Sequence, residues 1–340
     1  MSNRTSSRRP GTGTGRVTLK TIAEMTGLSL STVSLSLRGG TTLKQETRDR
    51  VNEAAKALGY VPDRAGVRLR TGKTNVIALV LDGSEDSIDF ARNMIQGIGQ
   101  AIRQTRYHLT VIPEFERHLS TDTIEYILSN RTADGVIITH TGPRDPRVKM
   151  LMEAGFPFVS HGRTAFGGHA YHDFHAEEFA ALAVQRLAER GCRDLMLVIG
   201  DDSTTNYHNI VTSFRAAAEK AGVTARIMEG TGSPAQLREA ALGLANSSSR
   251  PDGVICDSEA RTIALVGGLT EGGVMLGRDM HLVYKQTSAI LPTLFPRMDS
   301  VREDVFAAGV ELTRLLLRRI EGAPVEELQT LAEPQPHWRS

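Results

Sequence analysis

Five histidines stand close together in the middle of this 340-residue chain, and imidazole is the side chain best suited to acid–base chemistry near neutral pH. They are His140, His161, His169, His172 and His175. His172 and His175 are spaced i, i+3, so the two could hold a metal ion together. No third ligand stands at a fixed spacing, and neither an H-E-x-x-H motif nor a G-x-S-x-G nucleophile motif occurs. The histidines therefore favour neither catalysis nor a metal site, and we expect no cofactor.

Charge is distributed unevenly along the chain, although its sum is only +1. Residues 1–75 carry 14 Lys and Arg against five acids, a net charge of +9, which leaves −8 for the remaining 265 residues. A basic segment ahead of an acidic body favours a polyanionic partner, with nucleic acid as the first candidate. The other interpretation is a solvated basic tail, so the segment needs a fold before its charge carries meaning.

Composition excludes several classes of protein. Apolar residues make up 40% of the chain, enough for buried cores, and the length allows two or three domains. No run approaches the roughly 18–20 apolar residues of a membrane span. The N-terminus has charge without a following apolar segment, so we do not expect a secretory signal. Cys192 and Cys256 lack metal-ligand spacing and predict buried or free thiols in a reducing cytoplasm.

The basic segment has the pattern of short helices. We expect residues 1–15, which are rich in Ser, Arg and Gly, to be a disordered tail. Helices are then predicted over residues 18–25, 30–37 and 45–58. Helix, glycine turn, helix and third helix within some forty residues predict a helix-turn-helix domain over residues 16–62.

Capping residues support these helix starts. Thr18 and Ser29 are suited to cap the first two helices through their side-chain oxygens. Lys44 stands before the third helix, and Lys is a poor N-cap. We therefore expect Thr41 or Thr42 to cap that helix instead.

From residue 75 the pattern changes to apolar runs that alternate with amphipathic helices. Strands are predicted in one series at 75–81, 108–112, 135–139 and 156–160, and in a second at 195–199, 225–228, 253–257 and 281–284. Helices are predicted at 88–104, 121–130, 145–153, 174–190, 206–221, 235–246, 259–271 and 303–320. Continuous apolar strands followed by helices indicate parallel sheets with helices on both faces, and two series indicate two lobes. Ligands of such sheets bind at the carboxyl ends of the strands, here between the lobes.

These residues resemble the LacI/GalR (lactose-repressor) family of bacterial transcription regulators. The head carries the family's motifs in order, at residues 17–23, Gly27-Leu28-Ser29, Thr32-Val33-Ser34, Thr47-Arg48 and Leu58-Gly59-Tyr60-Val61-Pro62. Weaker markers follow in the core, among them Asp134-Gly135-Val136-Ile137, Phe214 and Pro251-Asp252-Gly253-Val254. The resemblance implies an α/β fold with a helix-turn-helix head, a hinge helix or linker at 63–74, and a two-lobed periplasmic-binding-protein-like core at 75–340. That core would bind an effector and dimerise.

By this resemblance the second helix of the head enters the major groove of DNA. Leu30 and Ser31 are then placed to meet base edges, while Thr32 and Ser34 would donate to phosphates or bases. Thr18 is the other contact predicted in the head. Because Leu30 is apolar, we expect part of the readout to be a contact with a thymine methyl group.

Residues 63–71 resemble the family's hinge helix. Leu69 would be inserted between base steps in the minor groove, and Arg64 and Arg68 would hold phosphates. Gly66 lowers helix propensity by about 1 kcal/mol relative to Ala, so we expect the hinge to order on binding DNA. The alternative is a plain linker whose basic residues are solvated.

The effector cleft departs from the family at three positions that commonly bind sugar hydroxyls. Where relatives have Asp, Arg and Asp, this chain has Gly162, His208 and Gln286. His161, Arg163 and Lys285 add positive charge near the same edge. The loss of two carboxylates predicts an anionic or partly anionic effector, such as a sugar acid or sugar phosphate. The alternative is that Arg163 and Lys285 form salt bridges with Asp173 or Asp257.

Two further candidates follow the first strand, where relatives place ligand contacts. They are Asp82 and Phe90, and Phe90 would either stack on a ring or belong to the core. Asp257 completes the predicted effector set.

We therefore predict a transcriptional repressor, cytoplasmic and nucleoid-associated, that binds double-stranded DNA at a pseudo-palindromic operator as a homodimer. A small carbohydrate-like effector would control it, and no membrane is involved. The polar end of the chain, residues 332–340, favours a dimer over a tail-tethered tetramer. Two rival classes are an enzyme that uses the cleft and a periplasmic sugar-binding protein. The second fits the core but neither the head nor the missing signal peptide.

Overall fold

The structure, a computed structural model, describes most of the chain. The described residues are 17–38, 43–60, 68, 71–82, 88–114, 120–200, 202–228 and 232–339, without the side chains of residues 82 and 88. The chain divides into two compact units between Thr74 and Asn75, here called the head and the core.

The described part of the head contains the predicted helix-turn-helix. Its helices are α1 (Leu19–Thr26), α2 (Leu30–Ser36) and α3 (Gln45–Ala57). They pack around Ile22, Val33 and Val51, which are fully buried. Gly27 ends α1 in the left-handed conformation, with φ +67°, which glycine adopts without steric cost. The helix-turn-helix prediction is confirmed.

The caps of the first two helices are also as predicted. The Thr18 hydroxyl accepts a hydrogen bond from the Thr21 N–H at 3.4 Å, and the Ser29 hydroxyl accepts one from the Thr32 N–H at 3.1 Å. The start of α3 differs, because its N-cap residue is Lys44, which makes no side-chain capping hydrogen bond. The expected caps, Thr41 and Thr42, lie outside the described residues.

The first lobe of the core is built on a parallel sheet. Its strands are β1 (Val76–Asp82), β2 (His108–Glu114), β3 (Gly135–Ile138), β4 (Phe158–His161), β5 (Ala170–Phe174) and β11 (Gln329–Ala332), in the order β11-β5-β4-β3-β1-β2. Its helices are α4 (Ile88–Ile102), α5 (Asp122–Asn130), α6 (Pro146–Glu153) and α12 (Val305–Ile320).

The second lobe repeats this plan. Its strands are β6 (Asp194–Val198), β7 (Thr224–Met228), β8 (Gly253–Cys256), β9 (His281–Gln286), β10 (Asp299–Arg302) and β12 (Gln335–His337), in the order β12-β10-β9-β8-β6-β7. Only β12 among these runs antiparallel to its neighbour. Its helices are α7 (Ala176–Glu189), α8 (Thr205–Ala221), α9 (Pro234–Ala245), α10 (Glu259–Glu271) and the short α11 (Ile290–Leu294).

Both faces of each sheet are covered by helices, which explains the continuous apolar strands. In β1, Ile77 and Leu79 belong to one core cluster while Ala78 and Val80 belong to another on the opposite face. All four side chains are buried. The predicted α/β class with parallel sheets and two lobes is therefore confirmed.

The sequence pattern missed β5, β10, β11, β12 and α11. These strands carry histidine, aspartate, glutamine or proline among their few apolar residues, so they lack a continuous apolar run. Their polar groups are satisfied by specific partners: the His172 ring in β5, for example, contacts the Thr330 hydroxyl of β11 at 2.9 Å. Local patterns cannot predict such partners, because they come from distant parts of the chain.

The last helix also belongs to a different lobe from the one its place in the sequence indicated. We assigned residues 303–320 to the second series, but α12 packs on the first lobe through Leu312, Leu315 and Leu316. The chain crosses between lobes after β5, after β10 and after β11.

The polar C-terminal segment forms the strand β12. No helix among the described residues has the length and apolarity to span a membrane.

Candidate functional site

A pocket lies between the two lobes, beside a segment through which the chain crosses from one lobe to the other. It is lined by Phe90, His140, Thr141, His161, Gly162, Arg163, Asp173 and Phe174 from the first lobe, by Thr204, Thr205, Asn206 and Lys285 from the second, and by Glu303. Most of these residues follow or end a parallel strand: His140 follows β3, His161 ends β4, and Glu303 follows β10. The pocket is thus at the carboxyl ends of the strands, as expected for this kind of sheet.

The lobes are also joined directly beside the pocket. The Thr205 N–H at the start of α8 donates to the Thr141 carbonyl at 2.9 Å. The Asn93 amide of α4 donates to the Thr287 carbonyl at 2.8 Å.

A buried carboxylate, Glu303, connects side chains of both lobes, Lys285 and His161. Its Oε2 lies 3.0 Å from Lys285 Nζ and its Oε1 lies 3.2 Å from His161 Nε2. The Glu303 side chain is only 4% exposed. Burial by itself would raise its pKa, but the charge of Lys285 and the contact with His161 hold the pKa well below the usual value for glutamate. Glu303 is therefore an anion that neutralises this wall of the pocket.

Arg163, another basic side chain that lines the pocket, is also paired with carboxylates. Its Nε donates to Asp173 at 2.6 Å, and its Nη2 donates to both carboxylate oxygens of Glu177 at 2.9 and 2.8 Å. Glu177 belongs to α7 of the second lobe, so this arginine also bridges the lobes. The salt-bridge alternative from the sequence thus describes Arg163. For Lys285 the partner is Glu303 rather than Asp173 or Asp257.

Aromatic rings form the remaining wall. The Phe90 ring packs edge-on against His140, with centroids 5.4 Å apart, and against His161, at 5.2 Å. Phe90 also packs against the apolar core of the first lobe, so both of its predicted roles are compatible with this position. The ring presents an apolar surface of the kind on which the C–H faces of a sugar can rest.

The other histidines have partners within the fold. Burial, together with the charge of His161, lowers the pKa of His172 to about 4. His169 is buried against Ser160 and Thr164, and burial lowers its pKa as well. His175 pairs with Glu333 at 3.2 Å. Across the described residues, no group of three His, Cys, Asp or Glu side chains is arranged to hold a metal ion.

Three predicted effector residues do not line this pocket. His208 is exposed on α8, with its ring edge against Tyr207. Asp257 contacts the Gly200 N–H at 3.3 Å and Arg261 at 3.3 Å. Gln286 is buried in the second lobe, where its amide donates to the Ser288 carbonyl at 2.9 Å and accepts from the Ser300 hydroxyl at 2.9 Å. Their roles in binding remain predictions, as does that of Asp82, whose side chain lies outside the description.

Sequence reasoning missed several lining residues, of which Glu303 matters most. Its position could be predicted only if β10 were recognised as a strand, since the residue after a strand reaches the ligand edge of the sheet. The four-residue β10, Asp-Ser-Val-Arg, carries one aliphatic side chain and does not stand out.

In the head, the surface predicted to bind DNA is polar with one apolar exception. Leu30 is 51% exposed at the start of α2, although Val33 in the same helix is fully buried. The hydroxyls of Ser31 and Thr32 each lie 2.8 Å from the Ser29 hydroxyl. The Ser34 hydroxyl accepts from Arg38 at 2.6 Å, which brings a cation to this helix that we had not predicted.

The hinge prediction falls mostly outside the described residues. Arg64 and Leu69 lie in the undescribed part. Arg68 is described as exposed, and its carbonyl accepts from the Gly72 N–H at 2.8 Å.

Comparison with known proteins gives a family match in each of the two units. Residues 18–63 match the family described as bacterial regulatory proteins, lacI family, and residues 184–340 match a periplasmic binding protein-like domain. The transcriptional regulator AglR of Rhizobium meliloti is 29% identical over 315 residues, which is 88% of this chain and 87% of that protein. The transcriptional regulator CelR of Thermobifida fusca is 27% identical over 331 residues, 94% and 96% of the two chains.

Solved structures of similar fold are also transcriptional regulators. A CelR–cellobiose complex has a TM-score of 0.69 at 25% identity and covers 95% of this chain and 99% of its own. The lac repressor dimer bound to operator and an anti-inducer has a TM-score of 0.81 at 19% identity, covering 96% and 98%, and shows the shared fold. These relatives are regulators rather than enzymes. The head therefore matches the LacI family of bacterial regulatory proteins, and the chain is similar to DNA-binding transcriptional regulators over nearly its whole length.

Proposed function

We propose that this regulator is a repressor that binds a pseudo-palindromic operator as a homodimer and is controlled by a small carbohydrate. The exposed Leu30 carries the DNA part of the proposal. Leu30 is half exposed at the first turn of α2, the helix proposed to enter the major groove, so it leaves apolar surface in water. A thymine methyl group in the groove would cover that surface. The protein would act in the cytoplasm, at the nucleoid, where the operator is.

An operator-binding experiment tests this role. Fragments containing pseudo-palindromes are selected with the full chain and then compared by gel shift at fixed salt, with a half-site as a second probe. Leu30→Ala is expected to weaken specific binding about tenfold, within the ~1–3 kcal/mol that one base position is worth, and to leave non-specific binding unchanged. Met25→Ala is the matched control, because Met25 is a similarly exposed apolar residue, at 58%, on the first helix.

Two outcomes would contradict the proposal. One is the absence of any specific complex, and the other is an equal loss of binding from Leu30→Ala and Met25→Ala. The half-site reports on assembly, since a dimer that needs both half-sites binds it far more weakly than the full palindrome.

Exposed apolar residues on the second lobe support the homodimer. Ile263 of α10 is 46% exposed, and Ile290 and Leu294 of α11 are 41% and 61% exposed. The segment that leads into α11 is tied to the start of α10, because Glu259 accepts hydrogen bonds from the backbone N–H groups of Thr287 and Ser288 at 3.0 and 2.9 Å. Apolar side chains on adjoining helices are typical of a surface covered by a partner.

The charge balance of the pocket supports an uncharged carbohydrate as effector. Each cation that lines it faces a carboxylate, because Lys285 pairs with Glu303 and Arg163 with Asp173 and Glu177. An anionic ligand would have to compete with these carboxylates for the cations. Hydroxyl and amide groups of Thr141, Thr204, Thr205 and Asn206 suit sugar hydroxyls instead, beside the apolar ring of Phe90. The relative CelR has been solved with cellobiose.

An anionic sugar remains the second candidate, because Arg163 and Lys285 do reach the wall of the pocket. Calorimetric titration of the full chain with cellobiose, other neutral sugars and glucuronate separates the two. We expect saturable binding of a neutral sugar that weakens on Phe90→Ala, since that change removes the apolar ring but no charge. Binding of glucuronate alone, weakened by added salt, would reverse the choice. Binding of neither class would contradict the carbohydrate effector.

A further inference from the structure

A buried arginine that does not itself line the pocket holds the backbone of a segment that does. Arg147 at the start of α6 has a side chain that is 4% exposed. Its Nη2 donates to the carbonyl of Thr139 at 3.2 Å and to that of His140 at 3.1 Å. The guanidinium therefore holds the backbone of the segment that follows β3.

We propose that Arg147 is a positioning residue of the effector pocket, which fixes the backbone at His140 so that its imidazole and Thr141 face the cleft. The proposal rests on the function of the pocket inferred above. It concerns a residue that would touch no effector itself.

The backbone at His140 needs such a restraint. Its φ is +53°, in the left-handed region that side chains with a Cβ rarely adopt. A residue in this conformation persists only where surrounding contacts determine it, and such residues concentrate at binding sites. The two bonds from Arg147 bracket this residue, because they end on the carbonyl before it and on its own carbonyl.

The rest of the guanidinium is fixed by two carboxylates. Asp145, fully buried, accepts from Nε at 3.1 Å and from Nη2 at 2.8 Å, and Glu114 at the end of β2 accepts from Nη1 at 2.7 Å. Asp145 also accepts from the Gly142 N–H at 3.3 Å, so it restrains the far end of the segment that follows β3. Burying an ion pair rarely increases stability over well-packed apolar groups, whereas the planar fork of arginine specifies geometry. This network is therefore better explained by the shape that it imposes on residues 139–142.

That shape matters on the pocket side. The His140 ring lies edge-on to Phe90, with centroids 5.4 Å apart. The next carbonyl, of Thr141, accepts the Thr205 N–H from the second lobe at 2.9 Å. Movement of the segment would displace one wall of the pocket and one direct bond between the lobes.

The test compares Arg147→Lys with Arg186→Lys in the full chain. Lysine keeps the charge but lacks the fork, so it cannot hold two carbonyls and two carboxylates together. Arg186 is a matched control, because it is a part-buried arginine, 17% exposed, that donates to Asp299 in the second lobe. The main readout is the nuclear Overhauser effect between the rings of His140 and Phe90, in protein selectively labelled at His and Phe. The His140 signals are assigned by their loss in His140→Gln.

We expect Arg147→Lys to lose most of this Overhauser effect and Arg186→Lys to keep it. If cellobiose binds the wild type, its affinity should fall about tenfold in Arg147→Lys, equivalent to one well-placed hydrogen bond. An unchanged Overhauser effect in a folded Arg147→Lys protein would overturn the proposal, whatever happens to the melting temperature. Failure of every sugar to bind would contradict the proposed effector. The Overhauser effect between His140 and Phe90 would still test the positioning role of Arg147.

A second variant covers the case in which Arg147→Lys does not fold. Asp145→Asn keeps a residue that caps helices well, since Asn and Asp are comparable at this position. It also removes an acceptor shared by Arg147 and the Gly142 N–H. We expect it to weaken the same Overhauser effect, and full retention would count against the proposal.

Discussion

Replacing Gly97 with alanine is expected to lower the free energy of unfolding of the core by about 3 kcal/mol, at the upper end of the usual cost of overpacking. Gly97 lies on α4 where this helix crosses α12. A Cβ at this position would stand 2.2 Å from the Phe306 carbonyl oxygen and 3.1 Å from the Cα of Gly309. These are backbone atoms, so no side chain can move aside and the two helices would have to separate.

The matched control is Gly99→Ala, two residues along the same helix. A Cβ there meets nothing within 4 Å and the position is exposed. Alanine should therefore stabilise α4 by about 0.5–1 kcal/mol, through the lower conformational entropy of the unfolded chain. Urea unfolding of the full chain, followed by circular dichroism, gives both values. Equal effects of the two substitutions would show that the close helix crossing does not exist.

The second large effect is expected from Glu303→Gln, which should lower the free energy of unfolding at pH 7 by roughly 3–5 kcal/mol. The amide cannot balance Lys285, whose side chain is only 14% exposed and would become an unpaired buried charge. Glu271→Gln is the control, because Glu271 pairs with Arg238 at the surface, where both side chains are at least half exposed. A surface pair of this kind contributes at most about 1 kcal/mol. Similar losses from both variants would contradict a special role for Glu303.

The pH dependence of stability distinguishes this carboxylate further. Because the pKa of Glu303 is lower in the folded chain than its usual 4.5, its contribution is present above pH 4.5 and is lost as the pH falls below that value. His172 acts in a higher range, since its pKa falls from 6.5 to about 4 on folding. Its neutral form is favoured in the folded state, so that contribution is lost as the pH falls from 6.5 towards 4. Both wild type and Glu303→Gln should therefore lose stability between pH 6.5 and 4.5, because both contain His172. Below pH 4.5 the wild type should lose additional stability that the variant does not.

Local patterns in the sequence predicted the elements that are stabilised by bonds within a few residues or by burial in an apolar layer. Thr18 and Ser29 cap helices with their own side chains, and such a bond spans three residues. The continuous apolar run of β1 identifies a strand that is covered on both faces. The position of the pocket followed from the same reasoning, because parallel strands place their carboxyl ends at one edge.

The charge of the pocket was predicted less well, and the reason is specific. The chain lacks the family's carboxylates at Gly162 and Gln286, which favoured an anionic ligand. In the fold, Asp173 and Glu303 supply carboxylates to the same pocket from other positions. The sequence offered Asp173 as a partner of Arg163 only as the alternative interpretation, and it did not identify Glu303, which balances Lys285.

The sequence by itself determined the helix-turn-helix head and the two-lobed α/β core, because these depend on short-range periodicity. The class of regulator followed from the resemblance of its motifs to those of the LacI/GalR family. Only the tertiary structure decided which charges meet in the cleft. Arg163 reaches Glu177 across the lobes, and Glu303 joins His161 to Lys285 at a crossover that no local pattern marks. An ion pair forms between whatever groups the fold brings within a few ångströms. Its existence therefore depends on the path of the whole chain rather than on the residues next to it.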